Sequence, residues 1–377
     1  TMSKAAELAN LIGNINAGGG GVNRNVLING AMNVAQRLES DSDNVITGLG
    51  SNTTSTTTTR YKCCDRWGFE ASSTDGRFSM SQDTSVPTGE GFASSLKLAC
   101  TTADTSIASG EYFILQQRIE GQNLQGFAKG TSEAKPFALS FYAKANASKT
   151  YVAELFDTDN NRHVNKTFTV GTDWTRHEIT FPADTTGAFG DDNGGSIRFN
   201  IWLHAGATYT GGTLATTWQA EDADDRATGI DSFFSSTDNT FFITGVQLEV
   251  GQNPTEFEHE PFATTIEKCQ RYYTRLTTYN TYAFLGVGYI HSSTSGTVMF
   301  RLPTRMRTDP SHGHSGTFRL VAPNADDLTS INAVYANRIS PTLEAVVSGG
   351  HGESNGNAMM IGGSNDADAF IEFTAEL

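Results

Sequence analysis

The chain has 377 residues, of which 18% are charged and 37% apolar, and its formal net charge is −15. That length admits roughly two or three domains with a substantial core, and the apolar share excludes a disordered chain. The acidity excludes a binder of nucleic-acid backbone, which needs clustered Lys and Arg to displace counterions.

In chain order, Ser3 to Ala17 reads as a helix. Ala5, Leu8, Ile12 and Ile15 recur at heptad spacing. Ser3 caps its start, and the run Gly18 to Gly21 ends it. Isolated helices below about 12–15 residues are marginal in water, so this one must dock. Copies of itself or a partner are the expected ground, with packing on its own domain as the alternative. Isoleucine late in the seam favours three strands.

From Asn23 to Phe262 strand follows strand. Leu96, Leu98 and Cys100 share a face against Lys97. Leu139, Phe141, Ala143 and Ala145 oppose Ser140, Tyr142 and Lys144, and Ile179 and Phe181 oppose Glu178 and Thr180. Turn-forming clusters at Asp157–Asn161 and Asp191–Gly195 separate such runs. About ten strands with polar loops predict a jelly-roll sandwich. Phe241–Gly251 closes it, with Phe242, Val246, Leu248 and Val250 expected on one face. Trp67 and Trp174 are expected in the core, with Arg66 paired locally. Asn52–Thr59, nearly all Thr and Ser, reads as a loop or irregular edge.

Ile266–Tyr273 is a short helix or extended link into a second β region, whose clearest strands are Ala283–His291, Gly296–Leu302 and Ala369–Leu377. The expected fold class is therefore all-β. A short N-terminal helix and Gly linker occupy 1–22, a jelly roll 23–262, and a smaller C-terminal β-sandwich 263–377.

The best ligand candidate is the strand Ser196–His204. Ile197, Phe199, Ile201 and Leu203 take one face, leaving Arg198, Asn200, Trp202 and His204 on the other. A tryptophan ring stacks on sugar C–H bonds while amide and guanidinium groups bond to hydroxyls, so that face suits a saccharide. The alternative is a face covered by residues 205–240 or by a neighbouring subunit, with Tyr209 and Trp218 joining either arrangement.

Weaker motifs divide into turns, metals and chance. Asp157, Asp159 and Asn161 have the alternate oxygen spacing that opens a calcium loop, but the later Gly and Glu are missing, so a hairpin turn is expected. Glu221–Asp225 reads as a solvated acidic stretch. His312 and His314 are an incidental pair in one chain; on a threefold axis, copies would offer their imidazoles to a transition metal in octahedral array. Gly352–Gly356 fits the nucleophile-elbow pattern but has no following helix and no later histidine. No carboxylate pair sits in the apolar setting of a glycosidase acid. Neither an enzyme nor a cofactor is predicted. Cys63, Cys64, Cys100 and Cys269 match no zinc spacing and are expected as buried thiols. No h-region opens the chain and no apolar run reaches membrane-spanning length, so neither a secretory signal nor membrane insertion is expected.

Several words occur in a fixed order: Asn25–Gly30, Gln36-Arg37, Asp65–Trp67, Gln117–Gly121, Leu139–Ala145, Trp174–Phe181, Gly245–Glu249 and Cys269–Tyr273. Together they resemble a family of phage tail-fibre and virion-appendage proteins, common in marine phages, whose central module is similar to a carbohydrate-binding jelly roll. The likeness covers about residues 25 to 275. It departs where Ala35 stands in place of an aromatic before Gln36-Arg37, and where Leu38-Glu39 replace small residues. The resemblance implies a structural subunit of a tail or capsid fibre, assembled in the host cytoplasm and carried on the virion. It further implies a homotrimer, joined to other virion proteins through the N-terminal helix, that adheres to host-surface glycans. The alternatives are a structural virion protein without a ligand and a stand-alone carbohydrate-binding module of a glycan-degrading system.

Overall fold

The computed structural model describes Lys4 and residues 23–38, 46–56, 60–322 and 324–377. The seam residues Ala5, Leu8, Ile12 and Ile15 lie outside the described residues. The chain divides into two compact units, one running to Phe262 and the other covering Ala263–Glu376.

The first unit contains β1 (Ile46–Gly48), β2 (Gly68–Ser72), β3 (Arg77–Asp83), β4 (Ser95–Thr102), β5 (Tyr112–Glu120), β6 (Phe137–Ala145), β7 (Lys149–Asp157), β8 (Arg162–Val170), β9 (Thr175–Phe181), β10 (Gly195–Ala205), β11 (Gln219–Ala220) and β12 (Thr240–Val250). They form two six-stranded sheets, ordered β1-β3-β4-β12-β6-β9 and β11-β8-β7-β10-β5-β2. All neighbours pair antiparallel. This is a jelly-roll sandwich, and its alternating apolar residues meet between the sheets. In β4, Leu96, Leu98 and Cys100 are buried while Lys97 and Ala99 are partly exposed. Phe78 and Phe113 pack with ring centroids 4.4 Å apart. Each such ring removed from water stabilises the fold by about 1.5–3 kcal/mol. Trp67 is enclosed there, its Nε1–H donating to the Asn29 carbonyl at 3.0 Å.

Strand β12 departs from the expected alternation. Phe241 and Ile243 enter the core, followed by Val246 and Leu248. Phe242 faces the other way, with the Lys144 ammonium 4.7 Å from its ring centroid. The cause is a bulge: pairing with β6 slips between Thr244 and Gln247, and Gly245 sits at φ +62°. One extra residue inverts which parity faces inward. A Cβ on Gly245 would also stand 2.5 Å from Phe92 Cζ. Trp174 likewise lies outside the core cluster, 6.2 Å from Phe242.

The helix Phe262–Gln270 leads into the second unit and buries Thr265 and Cys269 one turn apart. Its strands are β13 (Tyr273–Thr277), β14 (Phe284–Ile290), β15 (Ser295–Met299), β16 (Ser311–Ser315), β17 (Phe318–Val321), β18 (Ala325–Tyr335), β19 (Thr342–Val347), β20 (Ala358–Gly363) and β21 (Phe370–Thr374). Where a second sandwich is expected, six strands close into a barrel, β14-β15-β19-β18-β17-β20, beside a three-stranded sheet β13-β21-β16. Closure on so few strands brings side chain against backbone inside the barrel. At Gly296 a Cβ would stand 2.0 Å from Met359 Sδ. All four cysteines are buried. Among the described residues no helix is long and apolar enough to cross a membrane.

Candidate functional site

The outer face of the β2-β5-β10-β7 sheet gathers most of the polar side chains singled out above. Alternation sends Tyr112, Ile114, Gln116 and Arg118 of β5 to this face with Arg198, Asn200 and Trp202 of β10. His204 does not follow: pairing with β5 slips between Trp202 and His204, which sets His204 opposite the core residue Phe113, against Phe234, and returns Ala205 to the outer face opposite Tyr112. Register sets Arg198 between Arg118 and Phe156, Asn200 between Gln116 and Glu154, and Trp202 between Ile114 and Val152. Glu70 joins from β2, opposite Ile114. The two ends of the face differ.

One end is covered by the chain that follows β10. Arg226, from that segment, grips Glu154 with two bonds, Nε to Oε1 at 2.7 Å and Nη2 to Oε2 at 3.0 Å. Asn200 Nδ2 and Trp202 Nε1 donate to the same carboxylate at 2.7 and 2.9 Å. The Arg226 guanidinium lies 4.9 Å over the Trp202 ring and 4.6 Å over Phe156. Burial pushes the Glu154 carboxyl up, but Arg226 and the bonds from Asn200 and Trp202 outweigh it and hold it below the usual range. Trp202 is 1% exposed, and Asn200 and His204 are equally enclosed. Three of the four residues expected to meet a saccharide are therefore shut away in this conformation. The ring and amide that suit a sugar are spent on Glu154. Burial brings His204 down to about 4, despite the nearby Asp104, so it is neutral at pH 7.

The other end is open. Arg198, Glu70 and Arg118 have side chains 33%, 22% and 16% exposed. Glu70 accepts from Gln116 Nε2 at 2.9 Å, Arg118 Nη2 at 3.1 Å, Tyr112 OH at 3.2 Å and Arg60 Nη2 at 3.4 Å. Burial pushes its carboxyl up, yet the Gln116 bond and the guanidiniums of Arg60, Arg198 and Arg118 prevail and hold it at about 2. Arg198 and Arg118 are directly opposed, which is unfavourable for like charges. Burial, and then Arg118, push the Arg198 guanidinium down. Arg198 approaches Glu70 only to 4.0 Å and, among the described residues, makes no ion pair with another acid. Three guanidiniums thus surround one carboxylate, and the forked donors of Arg198 are left for an outside acceptor. Planar or tetrahedral oxyanions match such a fork.

Of the four saccharide candidates, then, the open end retains only Arg198. Arg60, Glu70, Tyr112, Gln116 and Arg118 escape a reading of β10 alone. The alternation Tyr112-x-x-x-Gln116-x-Arg118 was a usable signal in β5; Glu70 and Arg60 reach the face only through long-range pairing.

Other candidates separate. Asp157 accepts from the Asp159 and Asn160 amides at 3.0 and 3.1 Å, an ordinary turn. Its cation is the chain's own: Lys129 Nζ lies 2.5 Å from Asp157, 3.2 Å from Asp184, and 2.9 and 2.8 Å from the Thr186 and Gly187 carbonyls. His312 and His314 share a face of β16, with His312 Nε2 3.5 Å from the Ile331 carbonyl and His314 bordering a pocket of about 380 Å³. Among the described residues no third ligand joins that pair. Ser354 lies in an irregular loop that leads into a strand, without the helix an elbow requires.

No protein-family model matches the chain, and no curated protein matches it. Among solved structures, a family 30 carbohydrate-binding module is 15% identical, covering 61% of this chain and 93% of that one, with TM-score 0.27. A family 11 carbohydrate-binding module from Clostridium thermocellum, in complex with a beta-1,3-1,4-mixed-linked tetrasaccharide, is 11% identical over 52% of this chain and 91% of that one, with TM-score 0.26. The enzymatically active domain of bacteriophage CBA120 tailspike protein 4 is 14% identical over 60% of this chain and 21% of that one, with TM-score 0.27. These are likenesses of fold at low identity.

Proposed function

We propose that the chain is a non-catalytic, multi-copy subunit of a phage virion appendage that grips acidic host-surface glycans at the Arg198 end of the outer face. Arg198 carries this reading. It is a part-exposed guanidinium on a framed strand, it comes no nearer than 4.0 Å to an acid, and it stands in a cluster of excess positive charge on a chain of net charge −15. Uronate or sulfate groups would complete the cluster, and weak single sites gain strength when copies act together. The appendage is assembled in the host cytoplasm as a homotrimer, with the N-terminal helix joining other virion proteins. An apolar trough of about 810 Å³ in the second unit, lined by Val287, Tyr289, Met299 and Tyr335, supports assembly, with another copy as its occupant.

Glycan-array binding of the wild type and of Arg198→Ala tests the site. Retention of uronate- or sulfate-bearing glycans, about tenfold or more weaker in the variant, is expected, because a charge-assisted bond is worth about 1.5–3 kcal/mol. No retention, or retention indifferent to the substitution, removes the proposal. The burial of Trp202, Asn200 and His204 favours a second reading, a structural virion protein without a ligand, which an array blank on all glycans would support. Absence of the chain from purified particles would overturn both.

A further inference from the structure

At the far end of β10 three side chains converge: His204 from that strand, Glu111 from the turn entering β5, and Asp104 from the loop after β4. All three are buried, and one ligand atom from each lies within 4.8 Å of the other two. His204 Nε2 is 3.3 Å from Glu111 Oε2. Each group is held from behind. Asp104 Oδ2 accepts from Thr74 Oγ1 at 2.9 Å and from the Asp75 amide at 2.8 Å, while Oδ1 accepts from the Ser106 amide at 3.3 Å. Glu111 Oε1 accepts from the Ala108 amide at 2.9 Å. His204 Nδ1 lies 2.8 Å from Ser232 Oγ, which is itself fixed by the Phe234 amide at 3.1 Å.

Two features point to a ligand rather than to packing. Two buried carboxylates side by side need a cation or a shared proton between them, and among the described residues neither makes an ion pair with a Lys or Arg. The imidazole is also backed as a metal ligand is. The Ser232 hydroxyl can accept Nδ1–H, the tautomer in which the Nε2 lone pair faces the acids. Phe234 packs against the ring with centroids 5.3 Å apart.

We propose that Asp104, Glu111 and His204 bind one divalent transition-metal cation, zinc or manganese. One nitrogen with two carboxylate oxygens suits these ions better than calcium or magnesium, which take all-oxygen sets. Ligand distances of about 2.0–2.2 Å require the three side chains to close slightly around the ion. The ion would tie the 104–111 loop to β10 and, through Ser232, to the chain entering β12. It is independent of the glycan-binding proposal.

The test uses the full chain, unfolded with EDTA and refolded with Zn²⁺, Mn²⁺, Ca²⁺ or Mg²⁺ alone, then dialysed. Elemental analysis should return one Zn²⁺ or Mn²⁺ per chain. The Tm should rise by roughly 5 °C or more at a hundredfold excess over Kd. Glu111→Gln should lose both effects, as should His204→Gln if it folds. A folded wild type that retains neither ion, or a Glu111→Gln protein that retains as much as the wild type, overturns the assignment. Failure of the metal leaves the shared proton as the answer.

Discussion

Glu154, Asp157, Lys129 and His204 are enclosed in the first unit, whereas Val287, Tyr289, Met299 and Tyr335 stand half or more exposed in the second. Among the described residues, every exposed large apolar side chain except Ile107 and Phe262 belongs to the second unit. The contrast follows from size and closure. Two six-stranded sheets enclose a core broad enough for loops to be laid over an outer face, and whatever charge those loops cover must be paired. A small barrel has little interior, so part of its apolar complement faces outward. The sandwich therefore depends on ion pairs, and the barrel presents surface suited to association.

The comparison breaks most readily at Lys129. Lys129→Met leaves Asp157 buried without its cation, while Asp184 keeps Arg162, and should cost about 3–5 kcal/mol in urea unfolding of the first unit. The second unit's transition should not move; a parallel shift would merge the two. Arg226→Ala strands Glu154 and should cost about 3 kcal/mol. Trp202 should then become accessible to a fluorescence quencher, and continued protection would show that the covering segment does not depend on this pair.

Acid should act next. The Glu70 carboxyl is lowered from 4.5 to about 2 in the folded chain, so the unfolded chain binds the extra proton between those values. The associated stability, on the order of 2–3 kcal/mol, is complete above pH 4.5 and is lost as pH falls through about 2. Urea melts of the wild type and Glu70→Gln should differ at pH 6 and converge on acidification. A constant difference would separate Glu70 from its guanidinium partners. The smallest stability effect belongs to the barrel. Tyr289→Ser with Tyr335→Ser should change stability by only about 0.5 kcal/mol per site, yet shift light scattering toward the monomer. An unchanged mass would remove the trough as a contact between copies.

Much of the scaffold was legible because alternation is local. Leu96-x-Leu98-x-Cys100 and Leu139-x-Phe141-x-Ala143 announce strands whatever the rest of the chain does. The parity of Phe242 was not legible, since a bulge at Gly245 is defined by the partner strand. Barrel closure was not legible either, because strands of a barrel and of a sandwich share one pattern.

The candidate site divides along the same line. That Arg198, Asn200 and Trp202 share a face is a consequence of strand geometry, and the amino-acid order alone determines it; His204 leaves that face because the pairing with β5 slips after Trp202. Which of them meets solvent was decided by Arg226 reaching back to Glu154 and by Glu70 and Arg118 arriving from other strands. Away from a bulge, a residue's face is set by its immediate neighbours in the chain; where strands slip, and what lies over a face, are set by residues distant in sequence, whose approach only the folded structure specifies.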